Sequence, residues 1–280
     1  MINQHTAIEE HDVACAWIFD VDGVLTHPSE KKVTELKLFN QIIKRLQIGE
    51  PVILNTGRAL NFILKEIIRP LELLIENKDL LNNLFAVGEK GGVSLLYADN
   101  KYSEHVDLSI SVNKELQNEA KKITEKQFSD ITFYDTTKKT MISIEMLDGF
   151  SVEEFKKRQT ALNEKLLDLI RQYGQDKIYK IDPSRIATDI ENNHVGKGLG
   201  VQKALKWLAD KKIKPRQFIT FGDSISDVAM AQELHDQGLP VEFVFVGEKE
   251  ILADKQFKFP VIYTDKRCEA GTMEYLERFN

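Results

Sequence analysis

The stretch WIFDVDGVLT, from Trp17 to Thr26, is an apolar run that stops at two aspartates with one valine between them. Residues two apart in a strand face the same side, so Asp20 and Asp22 sit close together if the extended geometry persists. Carboxylates that close repel, unless a cation lies between them or one of them holds a proton. Both conditions point to a site. Taken alone, the pair also reads as a turn or a helix cap.

Three more polar clusters fall where apolar stretches end. They are NTGR at 55–58, GDSISD at 222–227, and Lys197 within NHVGKGLG. Each has a plain reading: a loop, a helix cap with Ser226 or Asp223 as the capping oxygen, and a solvent-exposed lysine at a helix start. The conjunction carries more than the parts, because carboxylates, a hydroxyl and an ammonium recur at corresponding ends of successive apolar runs.

The elements that position these groups alternate. Strands are predicted at 14–20, 51–56 and near LFAV, with helices over 34–47 and 59–75. After Val195 the rhythm returns with a helix over 197–210, the strand QFITF, a helix over 226–236 and the strand VEFVFV. A short strand near Val261 and a helix over 271–279 close it. This pattern predicts an α/β fold, a Rossmann-like doubly wound parallel sheet whose ligand site lies outside the carboxyl ends of the strands. The middle differs. A helix over 111–126, strands ITFYD and TMISIEM, a long helix over 152–173, and strands KIYKI and RIATDIE make helix-strand-strand twice. That is an inserted α+β module with antiparallel sheet. The expected division is 1–89 with 191–280 for the outer domain and 90–190 for the insert.

With 280 residues, 42% hydrophobic and 29% charged, the chain can bury a full core. A net charge of −6 without a dense Lys/Arg block argues against a dedicated nucleic-acid or membrane surface, and favours a small-molecule substrate. Cys15 and Cys268 are far apart and lack metal-type spacing, so a reduced cytoplasmic setting is expected. No stretch approaches the roughly 18 apolar residues of a membrane helix, and the start MINQHTAIEEHD has no leader pattern.

The order DxDG, then TGR, then Lys, then GDxxxD closely resembles the haloacid dehalogenase superfamily of phosphohydrolases. The duplicated helix-strand-strand insert resembles that family's IIB cap, found in Cof-type, sucrose-phosphatase and trehalose-phosphatase members. Val24 stands where many relatives have Thr, and Ser226 where Cof-type members usually carry Asn. The resemblance implies a Mg2+-dependent phosphatase acting on a small phosphate monoester, a sugar phosphate above all. Asp20 would be the nucleophile, forming an aspartyl phosphate, and Asp22 the acid and base. Asp20, the backbone carbonyl of Asp22, and Asp223 would hold Mg2+, with Asp227 in support. Thr56 and Gly57 would bind the phosphoryl group, and Lys197 would offset its charge.

Arg58 reads as a substrate contact or as surface. The GEKGG segment at 88–92, with Glu89 and Lys90, reads as a hinge and substrate loop or as a tight turn before the next strand. Asn193 and His194 border the return from the insert, and His194 reads as loop surface. His27 and Cys15 read as structural. The insert is expected to choose the substrate by contacting the leaving group. A sugar phosphomutase and a non-catalytic binding module are the alternatives, and a monomer or homodimer is expected.

Overall fold

A computed structural model describes residues 10–279. Most of the opening segment, in which no leader pattern is read, lies outside the described residues. The chain begins with β1 (His11–Phe19), α1 (Lys37–Gln47), β2 (Val52–Asn55), α2 (Leu60–Ile63), α3 (Arg69–Leu74) and β3 (Leu84–Gly88). It continues through β4 (Val93–Ala98) and β5 (Lys101–Val106). Next come α4 (Lys114–Ile123), β6 (Thr132–Tyr134), β7 (Ile142–Met146), α5 (Val152–Gln172), β8 (Tyr179–Pro183) and β9 (Ala187–Asn192). The last stretch holds α6 (Lys197–Asp210), β10 (Ile213–Gly222), α7 (Val228–Asp236), β11 (Val241–Phe245), β12 (Val261–Tyr263) and α8 (Cys268–Leu276).

Two compact units result: the chain up to His105 joined with that from Gly196, and Val106–Val195. The sheet of the first unit runs β12-β11-β10-β1-β2-β3-β4-β5. Its pairings are parallel from β12 to β3. The last five residues of β1 are buried on both faces, as a central parallel strand requires. Side-chain alternation sends Ala16 and Ile18 to one face, where Ile53, Phe85 and Phe243 pack with Val201 and Trp207 of α6 and Met230 of α7. Trp17 and Phe19 go to the other. There Phe19 stacks on Phe221 at 4.5 Å, and Phe221 meets Tyr275 of α8 edge-on at 5.4 Å.

The helices and strands expected after Val195 are present, and α6 spans the predicted 197–210. Two features differ. The helix expected over 59–75 is interrupted by a π turn at Leu64–Ile68, where the Arg69 N–H donates five residues back to the Leu64 carbonyl. Pro70 follows and has no N–H to continue an ordinary ladder, so the register shift is absorbed just before it. Second, the sheet does not stop at β3. β4 pairs antiparallel with β3, and Asp99 (φ +51) and Asn100 (φ +59) turn the chain into β5. Residues 93–105 therefore belong to the first unit, and the insert begins at Val106 and ends at Val195 rather than spanning 90–190.

The inserted unit has the expected order, helix-strand-strand twice, and its sheet runs β6-β7-β9-β8 with antiparallel pairings. Asn113 caps α4, accepting from the Leu116 N–H at 2.8 Å, and Ser151 with Glu154 forms a capping box on α5. Ile142, Ile144 and Ile190 of the sheet pack on Leu116, Leu162, Leu166 and Ile170 of the helices. Alternation then turns Ser143, Glu145, Asp189 and Glu191 to the face without helices.

Candidate active site

The polar groups singled out in the sequence meet at the carboxyl ends of β1, β2, β3 and β10 and at the start of α6. β1 ends at Phe19, and the Asp20 N–H still pairs with the Phe221 carbonyl at 3.0 Å, so Asp20 stands at the last rung of the ladder. The Val21 N–H donates to Asp20 Oδ1 at 2.7 Å. The chain then folds back: the N–H groups of Leu25 and Thr26 donate to the Val21 carbonyl at 3.0 and 2.9 Å. Gly23 sits in this turn at φ +68, where a Cβ would stand 2.1 Å from Asp223 Oδ2.

Lys197 is the electrostatic centre. Its Nζ lies 2.5 Å from Asp20 Oδ1 and 2.8 Å from Asp227 Oδ1, and donates to the Asn55 carbonyl at 2.9 Å. Asn55 Nδ2 returns the contact to the Lys197 carbonyl at 2.8 Å, and Gly200 makes room for the Asn55 amide. All three charged groups are buried, Asp227 completely. Burial pushes Asp20 well above the usual carboxylate range, Lys197 opposes this, and Asp227 and Asp22 add to it. Burial works against charge on Lys197 as well, but Asp20 and Asp227 outweigh it and hold the ammonium above the ordinary lysine range.

Asp223 and Asp227 have different tasks. Asp227 Oδ2 accepts from the Asp223 and Ser224 N–H groups at 3.2 and 3.0 Å and from the Ser224 hydroxyl at 2.6 Å. Asp227 thus shapes the loop that presents Asp223. The residue capping the following turn is Ser224, which forms a capping box with Asp227; neither Ser226 nor Asp223 takes that place. Asp223 is pushed up to about 6, by burial first and then by Asp227.

Carboxylate oxygens of Asp20, Asp223 and Asp227 lie within 4.8 Å of one another. This all-oxygen donor set, with Gly23 leaving space beside Asp223, suits a small hard dication such as Mg2+.

Thr56 is buried, its N–H donating to the Val87 carbonyl at 2.9 Å and its Oγ1 accepting from the Arg58 N–H at 3.2 Å. Arg58 is half-buried and paired with Asp22. Its Nε and Nη2 donate to the two carboxylate oxygens of Asp22, both at 2.8 Å, while its guanidinium lies over Phe62 at 4.6 Å. Glu89 and Lys90 lie in a turn after β3, and Glu89 is buried. GEKGG forms a tight turn before β4. His194 is exposed, and His27 accepts at Nδ1 from the Ser29 and Glu30 N–H groups, both at 3.3 Å. Cys15 is buried in the sheet, and burial pushes its thiol up to about 11.

Two contributors went unassigned in the sequence, Asn55 and Ser224. The second left a readable trace, since Ser-x-x-Asp is a capping-box spacing. Asn55 lies inside the NTGR cluster, but its partner is 142 residues away.

No family model matches the sequence, and no curated protein matches it. Solved structures do. A haloacid dehalogenase-like hydrolase from Bacteroides thetaiotaomicron is 12% identical over 96% of this chain and 100% of its own, with a TM-score of 0.66. The trehalose-6-phosphate phosphatase C-terminal domain of C. albicans is 15% identical over 95% of this chain and 92% of its own, TM-score 0.66. The sucrose-phosphatase of Synechocystis, solved with sucrose and phosphate, is 15% identical over 95% and 97%, TM-score 0.55. No described helix is long and apolar enough to cross a membrane. With its motif-bearing strand ends gathered on a doubly wound sheet, this chain has the fold of the haloacid dehalogenase-like hydrolases.

Proposed function

We propose that the chain is a magnesium-dependent phosphatase that hydrolyses a small phosphate monoester, a sugar phosphate, through an aspartyl phosphate on Asp20. The observation that carries this reading is the buried Lys197 bridging Asp20 and Asp227 beside Asp223. A lysine there holds Asp20 in one orientation and offsets the charge that gathers around a phosphoryl group.

Asp20 Oδ attacks phosphorus, and the bond from phosphorus to the ester oxygen breaks. Asp22 gives its proton to the departing oxygen, so the leaving group departs as an alcohol. Water then attacks the phosphorus of the aspartyl phosphate, Asp22 takes the water proton, and inorganic phosphate leaves with Asp20 restored. Thr56 and the N–H of Gly57 hold the phosphoryl oxygens. Asp20, Asp223 and the Asp22 carbonyl would hold Mg2+, which when bound supplies positive charge to the transferring group. Arg58 sets the orientation of Asp22, whose two carboxylate oxygens accept from one planar fork; one oxygen leaves the fork when Asp22 carries its proton.

The inserted unit, 106–195, is proposed to choose the leaving group. Its polar sheet face, with Ser143, Glu145, Asp189 and Glu191, offers hydrogen-bonding groups suited to a hydroxyl-rich ester. The free cysteines support a reducing, cytoplasmic setting, and the working form is a monomer or homodimer. The experiment is a phosphate-release screen over sugar phosphates, nucleotides and phosphorylated small acids, with and without Mg2+. Release that needs Mg2+ is expected, fastest on a sugar phosphate. Phosphoryl transfer between sugar positions without release would reassign the chain as a mutase, and no reaction of either kind would overturn the catalytic reading.

A further inference from the structure

The turn after β3 uses side chains where folding alone favours glycine. Glu89 (φ +50) and Lys90 (φ +54) both take left-handed backbone, although Gly88, Gly91 and Gly92 stand beside them. In that region the Cβ of an L-residue crowds the following carbonyl, whereas glycine is unhindered. Side chains persist there when surrounding contacts over-determine them, and such positions cluster at functional sites.

The contacts are specific. The Glu89 N–H donates to the Arg58 carbonyl at 3.0 Å, and the Lys90 N–H to the Thr56 carbonyl at 3.1 Å. The Lys90 carbonyl accepts from the Gly196 N–H at 2.7 Å. One turn thereby ties the Thr56–Gly57–Arg58 segment to the residue preceding Lys197. The Lys90 stem lies across Gly57, its Cγ and Cε both 3.7 Å from where a Cβ on Gly57 would stand. The stem thus packs on Gly57, and the ammonium stands one bond beyond Cε.

We propose that Lys90 is a second ammonium for the phosphoryl group, a substrate-binding residue seated over Gly57. The proposal rests on the phosphatase reading, in which Thr56 and Gly57 grip that group. Lys90 serves the oxygens common to every ester, so it sets affinity for phosphate and leaves the choice of leaving group untouched. The strained backbone fixes where the stem starts, which a flexible lysine on an ordinary turn would not achieve.

Inorganic phosphate is the probe, titrated calorimetrically into the full chain with Mg2+ present. Lys90→Met keeps a stem over Gly57 and removes the charge; Lys90→Gly also relieves the left-handed strain; Lys90→Arg keeps a cation. The Met and Gly variants are expected to weaken phosphate binding by about tenfold or more, the loss of one charge-assisted hydrogen bond, and Arg to restore most of it. Lys90→Gly is expected to melt no lower than the parent, which separates lost binding from lost fold. Phosphate affinity within twofold of the parent in both Met and Gly variants would overturn the proposal while leaving the phosphatase reading in place. A parent chain that neither binds phosphate nor releases it from any ester would instead remove the reading on which the proposal rests.

Discussion

In the first unit Asp20, Asp227 and Lys197 lie buried together where β1 and β10 end and α6 begins. In the inserted unit the core between α4, α5 and the sheet is apolar. Polar side chains buried there have local partners: Gln159 Nε2 donates to the Ala187 carbonyl at 2.8 Å, and Thr188 Oγ1 to Asn163 Oδ1 at 2.8 Å. Its buried Glu191 is paired with Lys180 at 3.3 Å. Removing charge from water is expensive and is sustained only when every charge has a partner. The first unit meets that expense with a packed network whose members hold one another; the second follows ordinary patterning, apolar toward its helices and polar on the opposite sheet face. On the proposed reading, chemistry that every ester needs belongs with the network, and discrimination among esters belongs with the polar sheet face of the insert.

The largest expected effect tests the network. Asp20→Asn keeps size and shape but makes a far poorer nucleophile, so turnover should vanish while the protein still folds and binds phosphate. An Asp22→Asn protein given an ester with a good leaving group should accumulate phosphoenzyme, and peptide mapping should place the phosphate on Asp20. Phosphate on any other residue would dissolve the assignment.

Next comes the Arg58 fork on Asp22. Arg58→Met should lower kcat by about 10- to 100-fold on alkyl phosphates, because the acid loses its orientation. The loss should be smaller on p-nitrophenyl phosphate, whose leaving group scarcely needs a proton. Equal losses on both would show that Arg58 serves something other than the acid.

A smaller effect is expected from the inserted unit. Glu145→Gln or Asp189→Asn should reduce kcat/KM for the preferred ester by about tenfold relative to p-nitrophenyl phosphate. The ratio is taken within one variant, so any loss of folded protein cancels. If the ratio stays constant across several such variants, the insert does not select substrate and the contrast between the units disappears.

The smallest effect concerns stability in metal-free protein. Asp223 titrates at about 6 when folded, raised by burial and then by Asp227, against an ordinary value near 4. Between those values the folded state keeps a proton that the unfolded chain has released. Stability should therefore fall as pH rises from about 4 to about 6. The melting temperature should drop over that window, and Mg2+ should raise it more above pH 6 than below. A melting temperature that climbs through the window would contradict the burial of an uncompensated carboxylate.

Much of this was legible before any coordinates, and for local reasons. Strand and helix periodicity is written residue by residue, so α6, the duplicated helix-strand-strand order and the polar residues closing β1, β2 and β10 could be read directly. Gly23 directly follows the two aspartates, and a Cβ there would stand 2.1 Å from Asp223 Oδ2. The β4-β5 hairpin was missed although Asp99-Asn100 is a hairpin signal, because whether a strand pair joins a sheet depends on an open edge to receive it.

Tertiary structure decided the partnerships. Lys197 reaches Asp20, Asp227 and Asn55 only because parallel crossovers bring strand ends from distant parts of the chain side by side. The same crossovers set Arg58 against Asp22 and Lys90 across Gly57. Burial then raised Asp20 and Asp223 above the usual carboxylate range, since desolvation and Coulomb interaction depend on what surrounds a side chain in space. Residue types and local periodicity determined which side chains could do this chemistry and on which strand ends they stand; packing decided which of them face one another.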